Sequence, residues 1–254
     1  MTFEVLYWMY PLLFAGGLLA GWIDAIAGGG GMVTVPLLLA IGVPPQMVLG
    51  TNKFQASFGS FTAARHFVRS DVVSLRDALP GILWTLAGSA AGTMAVQQID
   101  PAVLNIIIPF LLLGIAISML VSPDLGHAVT RARMTRGMFY ACFGLLLGFY
   151  DGFFGPGVGT FWAIAFVLGL GFDLRRSTGY TKVMNFASNI VSFAVFAFGG
   201  VVLWLPGIVM AAGQIAGARL GSGMVVKRGT RFIRPVFITI VILTTLKLLY
   251  SRLF

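Results

Sequence analysis

Two stretches decide how this chain folds: Gly21-Trp22-Ile23-Asp24-Ala25-Ile26-Ala27-Gly28-Gly29-Gly30-Gly31 and, 127 residues later, Gly148-Phe149-Tyr150-Asp151-Gly152-Phe153-Phe154-Gly155-Pro156-Gly157-Val158-Gly159. Each sets one acidic residue towards the end of an apolar run and follows it with glycines, which favour turns over helix interiors. The pairing extends outward. Gly50-Thr51-Asn52-Lys53 is answered by Gly179-Tyr180-Thr181-Lys182 at an offset of 129, and Ala87-Gly88-x-x-Ala91-Gly92 by Ala212-Gly213-x-x-Ala216-Gly217. Matches in one order indicate an internal duplication: a first repeat over residues 1–125, a cytoplasmic connecting loop over 126–136, and a second repeat over 137–254.

The medium around these repeats follows from composition. Of 254 residues, 58% are apolar and 10% charged, with a mean hydropathy of +0.94, whereas soluble domains are about 25% charged. Ala78–Ile99, Pro101–Pro123 and Val183–Ala218 run for 22, 23 and 36 residues without a charge. At about 1.5 Å per residue, 22 residues make roughly 33 Å of helix, enough for about 30 Å of hydrocarbon. The chain reads as an all-α polytopic membrane protein. No polar stretch is longer than Asp124–Arg136, which excludes a soluble domain. The continuous runs exclude the alternation of a β-barrel. The net charge of +9 sits mainly in short loops, so nucleic acid is not expected as a partner. Cys142, the single cysteine, lies in an apolar run and reads as a buried small hydrophobe. Met1-Thr2-Phe3-Glu4 lacks the basic start of a cleaved signal peptide.

Each repeat divides into five apolar segments. The first has Met9–Ala27, Met32–Ile41, Pro45–Arg69, Ala78–Val96 and Pro101–Val121; the second has Gly137–Phe153, Val158–Leu170, Leu174–Phe198, Leu203–Val226 and Ile233–Ser251. The second segment of each is too short to span alone. It is either tilted and discontinuous, or the returning arm of a re-entrant hairpin. Basic residues alternate oppositely in the two repeats. Arg65, Arg69 and Arg76 lie between segments three and four of the first, whereas Lys227, Arg228, Arg231 and Arg234 lie between four and five of the second. The positive-inside rule then inverts one repeat relative to the other, with both termini outside the cell membrane.

Inverted repeats with matched Gly-rich breaks point to a transporter site near the bilayer midplane. Asp24 lies about fifteen residues into its segment and Asp151 about fourteen into its own, so both carboxylates sit near mid-depth. Lys53 and Lys182 lie about eight residues into the long third segments. Charge costs about 2.5–3.5 kcal/mol at such depths. Gly28, Gly29, Gly30 and Gly31 precede one short helix, and Gly155, Gly157 and Gly159 lead into the other. Helix N-termini there favour an anion. Lys53 and Lys182 add positive charge, and Thr51, Asn52, Thr181 and Asn185 supply hydrogen bonds. This set forms the candidate anion site, with Asp24 and Asp151 as candidate proton-coupling groups. A plainer reading also stands: the carboxylates cap the broken helices or pair with Lys182 and Lys53, neutralising one another. Gly88/Gly92 and Gly213/Gly217 have the spacing of helix-packing residues. His66 and His127 read as solvated, and Arg219 as snorkelling.

The motif Gly21-x-Ile23-Asp24-x-Ile26-Ala27-Gly-Gly-Gly-Gly-x-x-Thr34-Val35-Pro36, with Gly50-Thr51-Asn52-Lys53, resembles the TauE/SafE sulfite-exporter type, also called the toluenesulfonate uptake permease family. Phe149-Tyr150-Asp151-Gly152-Phe153-Phe154-Gly155-Pro156-Gly157 is similar to that family's repeat signature. The resemblance implies a duplicated inner-membrane carrier of about eight spans, moving sulfite, thiosulfate, sulfoacetate or other organosulfonates.

The expectation is therefore a permease rather than an enzyme, with no catalytic residues, cofactor or metal, and with a small anion and the lipid bilayer as partners. A homo-oligomer stays open. An anion channel and an intramembrane aspartyl protease are the rival classes. Reporter fusions test the inversion: extracytoplasmic reporters are expected active at both termini and silent at Arg136. A C-terminus found inside overturns it.

Overall fold

The apolar runs become helices in a computed structural model of the chain, which describes residues 6–121 and 132–228. Among these residues there are nine α-helices and no strand: α1 (Tyr10–Ala27), α2 (Gly31–Ala40), α3 (Pro45–Arg69), α4 (Leu75–Gln97), α5 (Pro101–Val121), α6 (Arg136–Phe153), α7 (Val158–Leu170), α8 (Leu174–Phe198) and α9 (Trp204–Arg228). The expected tenth segment, Ile233–Ser251, and most of the connecting loop, with Arg131 and His127, lie outside the described residues. Local chemistry sets the starts. Proline opens α3 and α5, where its missing N–H costs nothing. Ser74, Thr135 and Asp173 cap α4, α6 and α8, accepting the amides of Asp77, Met138 and Arg176.

The short helices return. Leu37 of α2 lies against Gly16 of α1, and Gly30 against Ala20 and Asp24, so α2 runs back along α1. In the second half, the Gly169 carbonyl near the end of α7 accepts the amides of Arg133 and Met134, just ahead of α6, at 2.9 and 3.1 Å. Both short segments are thus returning arms of hairpins, one of the two forms the sequence allowed. Left-handed backbone makes the turns: Gly28 (φ +80°) ends α1, and Gly155 and Gly157 (φ +99° and +80°) lie between α6 and α7.

Around the hairpins, α1 packs on α9, α4 on α6, and α3 on α8. Two of these seams let backbones touch. A Cβ added to Gly17 or Gly21 would meet the carbonyls of Met210 and Gln214, and one on Gly213 or Gly217 those of Phe14 and Leu18. The α4–α6 seam repeats the device with Gly88 and Gly92 facing Leu145 and Phe149, and Gly148 and Gly152 facing Thr85 and Ser89. The packing role read for Gly88/Gly92 and Gly213/Gly217 holds, with glycines on both sides of each seam.

Polarity runs inside out. α3 and α8 bury Lys53, Gln55, Ser57, Lys182, Ser188 and Ser192, while Leu83, Trp84, Leu146, Phe149, Ile208 and Leu220 on the surrounding helices face outward. Among the described residues, four helical stretches, at 7–27, 75–97, 174–198 and 204–227, are long and apolar enough to cross a membrane. Cys142 corrects the sequence expectation: it is exposed, on the outer face of α6. In an apolar solvent an apolar run does not distinguish core from surface.

Gly92→Leu and Gly217→Leu are expected to destabilise by about 1–3 kcal/mol or more, since each added side chain meets fixed backbone. Thermal unfolding in detergent reads this, with Ala87→Leu on the exposed face of α4 expected to leave the midpoint unchanged.

Candidate functional site

The two hairpin tips meet. A Cβ on Gly28 would lie 2.5 Å from Cα of Gly159, and one on Gly31 would lie 3.1 Å from Pro156. The Thr160 hydroxyl donates to the Ala27 carbonyl at 3.1 Å, tying the start of α7 to the end of α1. Tyr150 donates to the Pro156 carbonyl at 2.7 Å, which braces the second turn. The Gly29 carbonyl accepts the Met32 amide and the Gly157 carbonyl the Thr160 amide, both at 3.0 Å, as the short helices begin.

Asp24, Lys53, Asp151 and Lys182 lie beside this junction, and each half answers the other. Lys53 of α3 pairs with Asp151 of α6, both side chains sealed at 1% and 3% exposure. Lys182 of α8 pairs with Asp24 of α1 at 3.1 Å, with exposures of 1% and 20%. The plainer reading of the charges, mutual neutralisation, is what the geometry displays. At 3.1 Å and an effective dielectric of about 20, attraction amounts to about 5 kcal/mol. That roughly offsets about 2.5–3.5 kcal/mol for each charge at depth. Gly155 must lack a side chain here, since a Cβ would lie 2.7 Å from Lys53 Nζ and 2.9 Å from Asp151 Oδ1.

The remaining candidates divide. Asn185 lies beside the junction, its Nδ2 3.1 Å from where a Cβ of Gly159 would sit. Its Oδ1 and the Thr181 hydroxyl are buried without a hydrogen-bond partner, an arrangement that a bound molecule would relieve. Asn52 is held internally: its Oδ1 accepts from Thr34 at 2.6 Å and from Gln55 Nε2 at 2.9 Å. Thr51 stands apart from the junction contacts and accepts the Leu203 amide at 3.0 Å, just ahead of α9. Sequence reading did not place Ser188, which donates to the second oxygen of Asp151, or Gln55 and Thr34. Asn185, Ser188, Asn189 and Ser192 are all buried polar residues at helical spacing, and that stripe was the available signal.

The chain matches the sulfite exporter TauE/SafE family over residues 13–248. It is 46% identical over 248 residues to a "Probable membrane transporter protein" of Haemophilus influenzae, covering 96% of each chain. It is 43% identical over 254 residues to the "Probable membrane transporter protein YfcA" of Escherichia coli K12, covering 98% of this chain and 94% of that one. The "Probable membrane transporter protein ORF9" of a Sinorhizobium species is 39% identical over 246 residues, covering 97% of this chain and 94% of that one. No solved structure matches significantly.

Removing one member of the sealed pair strands a buried charge. Asp151→Asn is expected to lower stability by about 3–5 kcal/mol, while the double change Lys53→Met/Asp151→Leu recovers most of it. Thermal unfolding of the purified variants measures both.

Proposed function

Since the chain belongs to the TauE/SafE sulfite exporter family of membrane transporters, we propose that it is a proton-linked secondary transporter of small sulfur-containing anions. The class comprises sulfite, thiosulfate, sulfoacetate and other organosulfonates. The observation that carries this reading is the meeting of two glycine turns flanked by ion pairs drawn from opposite halves. A protein that alternates access needs a site shared by two moving parts, and cross-half pairs supply one that can be remade.

Several features support two inverted-topology repeats with about eight membrane-embedded elements, two of them re-entrant hairpins, in the cell inner membrane. The neighbour relations exchange between halves: α1 on α9 matches α6 on α4, and α3 on α9 matches α8 on α4. Each hairpin begins and ends on one side, so an odd number of crossings separates the equivalent starts of the repeats. Arg65, Arg69, Arg76, Arg175 and Arg176 then fall on the side proposed as cytoplasmic, with both termini opposite.

Anion recognition falls to the N-termini of α2 and α7, helped by Thr181 and Asn185 and by the lysines once a carboxylate is protonated. With all four charges ionised the junction is neutral, so an anion entering without a proton would leave net negative charge in a low-dielectric site. That is the physical ground for coupling through Asp24 and Asp151.

A panel of small anions against the detergent-purified protein tests the class. One sulfur oxyanion or sulfonate at about 100 times its dissociation constant is expected to stabilise by roughly 2.7 kcal/mol. The shift should vanish in Lys182→Gln. A response confined to cations or neutral solutes overturns the anion reading. In liposomes, saturable flux that follows an imposed pH gradient supports a carrier, and fast pH-independent flux overturns it.

A further inference from the structure

We propose that the two ion pairs do different work: Asp24–Lys182 is the pair that opens, with Asp24 as the sole coupling carboxylate, while Lys53–Asp151 is a fixed strut. The inference rests on the carrier reading above and narrows it to one residue.

The surroundings of the two carboxylates differ. Asp151 has both oxygens engaged, one by Lys53 and the other by the Ser188 hydroxyl. A second layer of hydroxyls ties that region together. Ser89 bonds Ser192 Oγ at 2.7 Å and the Ser188 carbonyl at 3.0 Å, and Thr93 bonds Ser192 at 2.9 Å and the Gly152 carbonyl at 3.1 Å. This network joins α4, α6 and α8. By the offsets of the duplication, the positions corresponding to Ser188 and Ser192 are Gly59 and Ala63, and those corresponding to Ser89 and Thr93 are Gln214 and Ala218. The hydroxyl network therefore has no counterpart on the Asp24 side.

Asp24 keeps Lys182 and one long contact from the Gly30 amide, at 3.5 Å. It is also the more open carboxylate, at 20% against 3%. A buried carboxylate in a membrane protein faces either the protein interior or a water-filled crevice, and the partial exposure of Asp24 favours the crevice, which gives protons a route. Protonating Asp24 gives up one ion pair; protonating Asp151 gives up an ion pair and a charge-assisted hydrogen bond in a closed network.

The position of Asp24 gives the opening its consequence. Its carboxylate stands between the Lys182 ammonium and the Gly30 amide at the start of α2, so it holds the place an anionic substrate would take. When Asp24 takes a proton, Lys182 and the start of α2 become available to a sulfonate. One proton then enters with each monovalent anion and the junction stays neutral. The other elements packed on α1 do not compete. α2 and α7 carry no ionisable side chain. From α8 the facing group is Lys182 itself. α3 offers Lys53, already committed to Asp151, and Arg65, His66 and Arg69 towards its end. α9 carries Arg219 and Lys227, which act on His66, and Arg228 at its end.

Dicyclohexylcarbodiimide, which reacts with protonated carboxylic acids inside membranes, separates the two carboxylates in the unaltered protein. Peptide mass spectrometry is expected to find the adduct on Asp24, increasing as pH falls, and none on Asp151. Labelling of Asp151, or an unlabelled Asp24 at every pH, overturns the proposal. Binding of methanesulfonate, whose charge is constant from acidic to neutral pH, supplies the second readout. Its affinity should rise by up to about tenfold per unit fall in pH over the range in which binding takes up one proton, and Asp24→Asn should bind with no pH dependence. A retained slope in Asp24→Asn overturns the coupling role. If methanesulfonate and the wider anion panel all fail to bind, the substrate class falls, and the labelling pattern still decides which carboxylate reacts.

Discussion

Among the described residues, neither half of this chain neutralises its own buried charges. Asp24 is answered by Lys182 and Asp151 by Lys53, across 158 and 98 residues of sequence. In a bilayer interior an unanswered charge is costly and water is not there to answer it. The two halves are thereby fastened at the depth where their helices are interrupted. The glycine turns, the returning short helices and the polar faces of α3 and α8 all serve to bring those four side chains within reach of one another.

Close approach is the second requirement. The pairs form because α1 and α9, and α4 and α6, touch backbone to backbone along seams lined with glycine. Lipid gives helices no hydrophobic reason to associate, so contact area and fit must hold them. Polar stripes on α3 and α8 add hydrogen bonds that lipid cannot supply. The outward faces need only be apolar, and they are.

Much of this was legible in the sequence. Helix limits fell within a few residues of expectation, from Pro45–Arg69 to Val158–Leu170, because charge, proline and glycine mark the ends of apolar runs. The glycine-rich breaks and the pairing of Asp24 with Lys182 and of Asp151 with Lys53 were also readable, since charges at depth need partners. Which of the two forms the short helices take was not, because length alone excludes spanning without choosing between tilt and return. Cys142 misled for a related reason: apolarity marks the core of a soluble protein and both faces of a membrane one. The polar stripe through Ser188 and Ser192 was there to be read, but its partners, Asp151, Ser89 and Thr93, depend on how α4, α6 and α8 meet.

The crossing of the pairs has a consequence for how the protein is made. Lys53 leaves the ribosome 98 residues ahead of its partner, and at about 5–20 residues per second that gap lasts roughly 5–20 s. Asp24 waits longer still. For that interval the newly inserted first half carries charges without their final counterions, so it must be held by the insertion machinery or stay near the lipid surface. Two halves made as separate chains would meet the same problem at every assembly; one chain shortens the wait to a single round of synthesis and fixes the ratio of the halves at one to one.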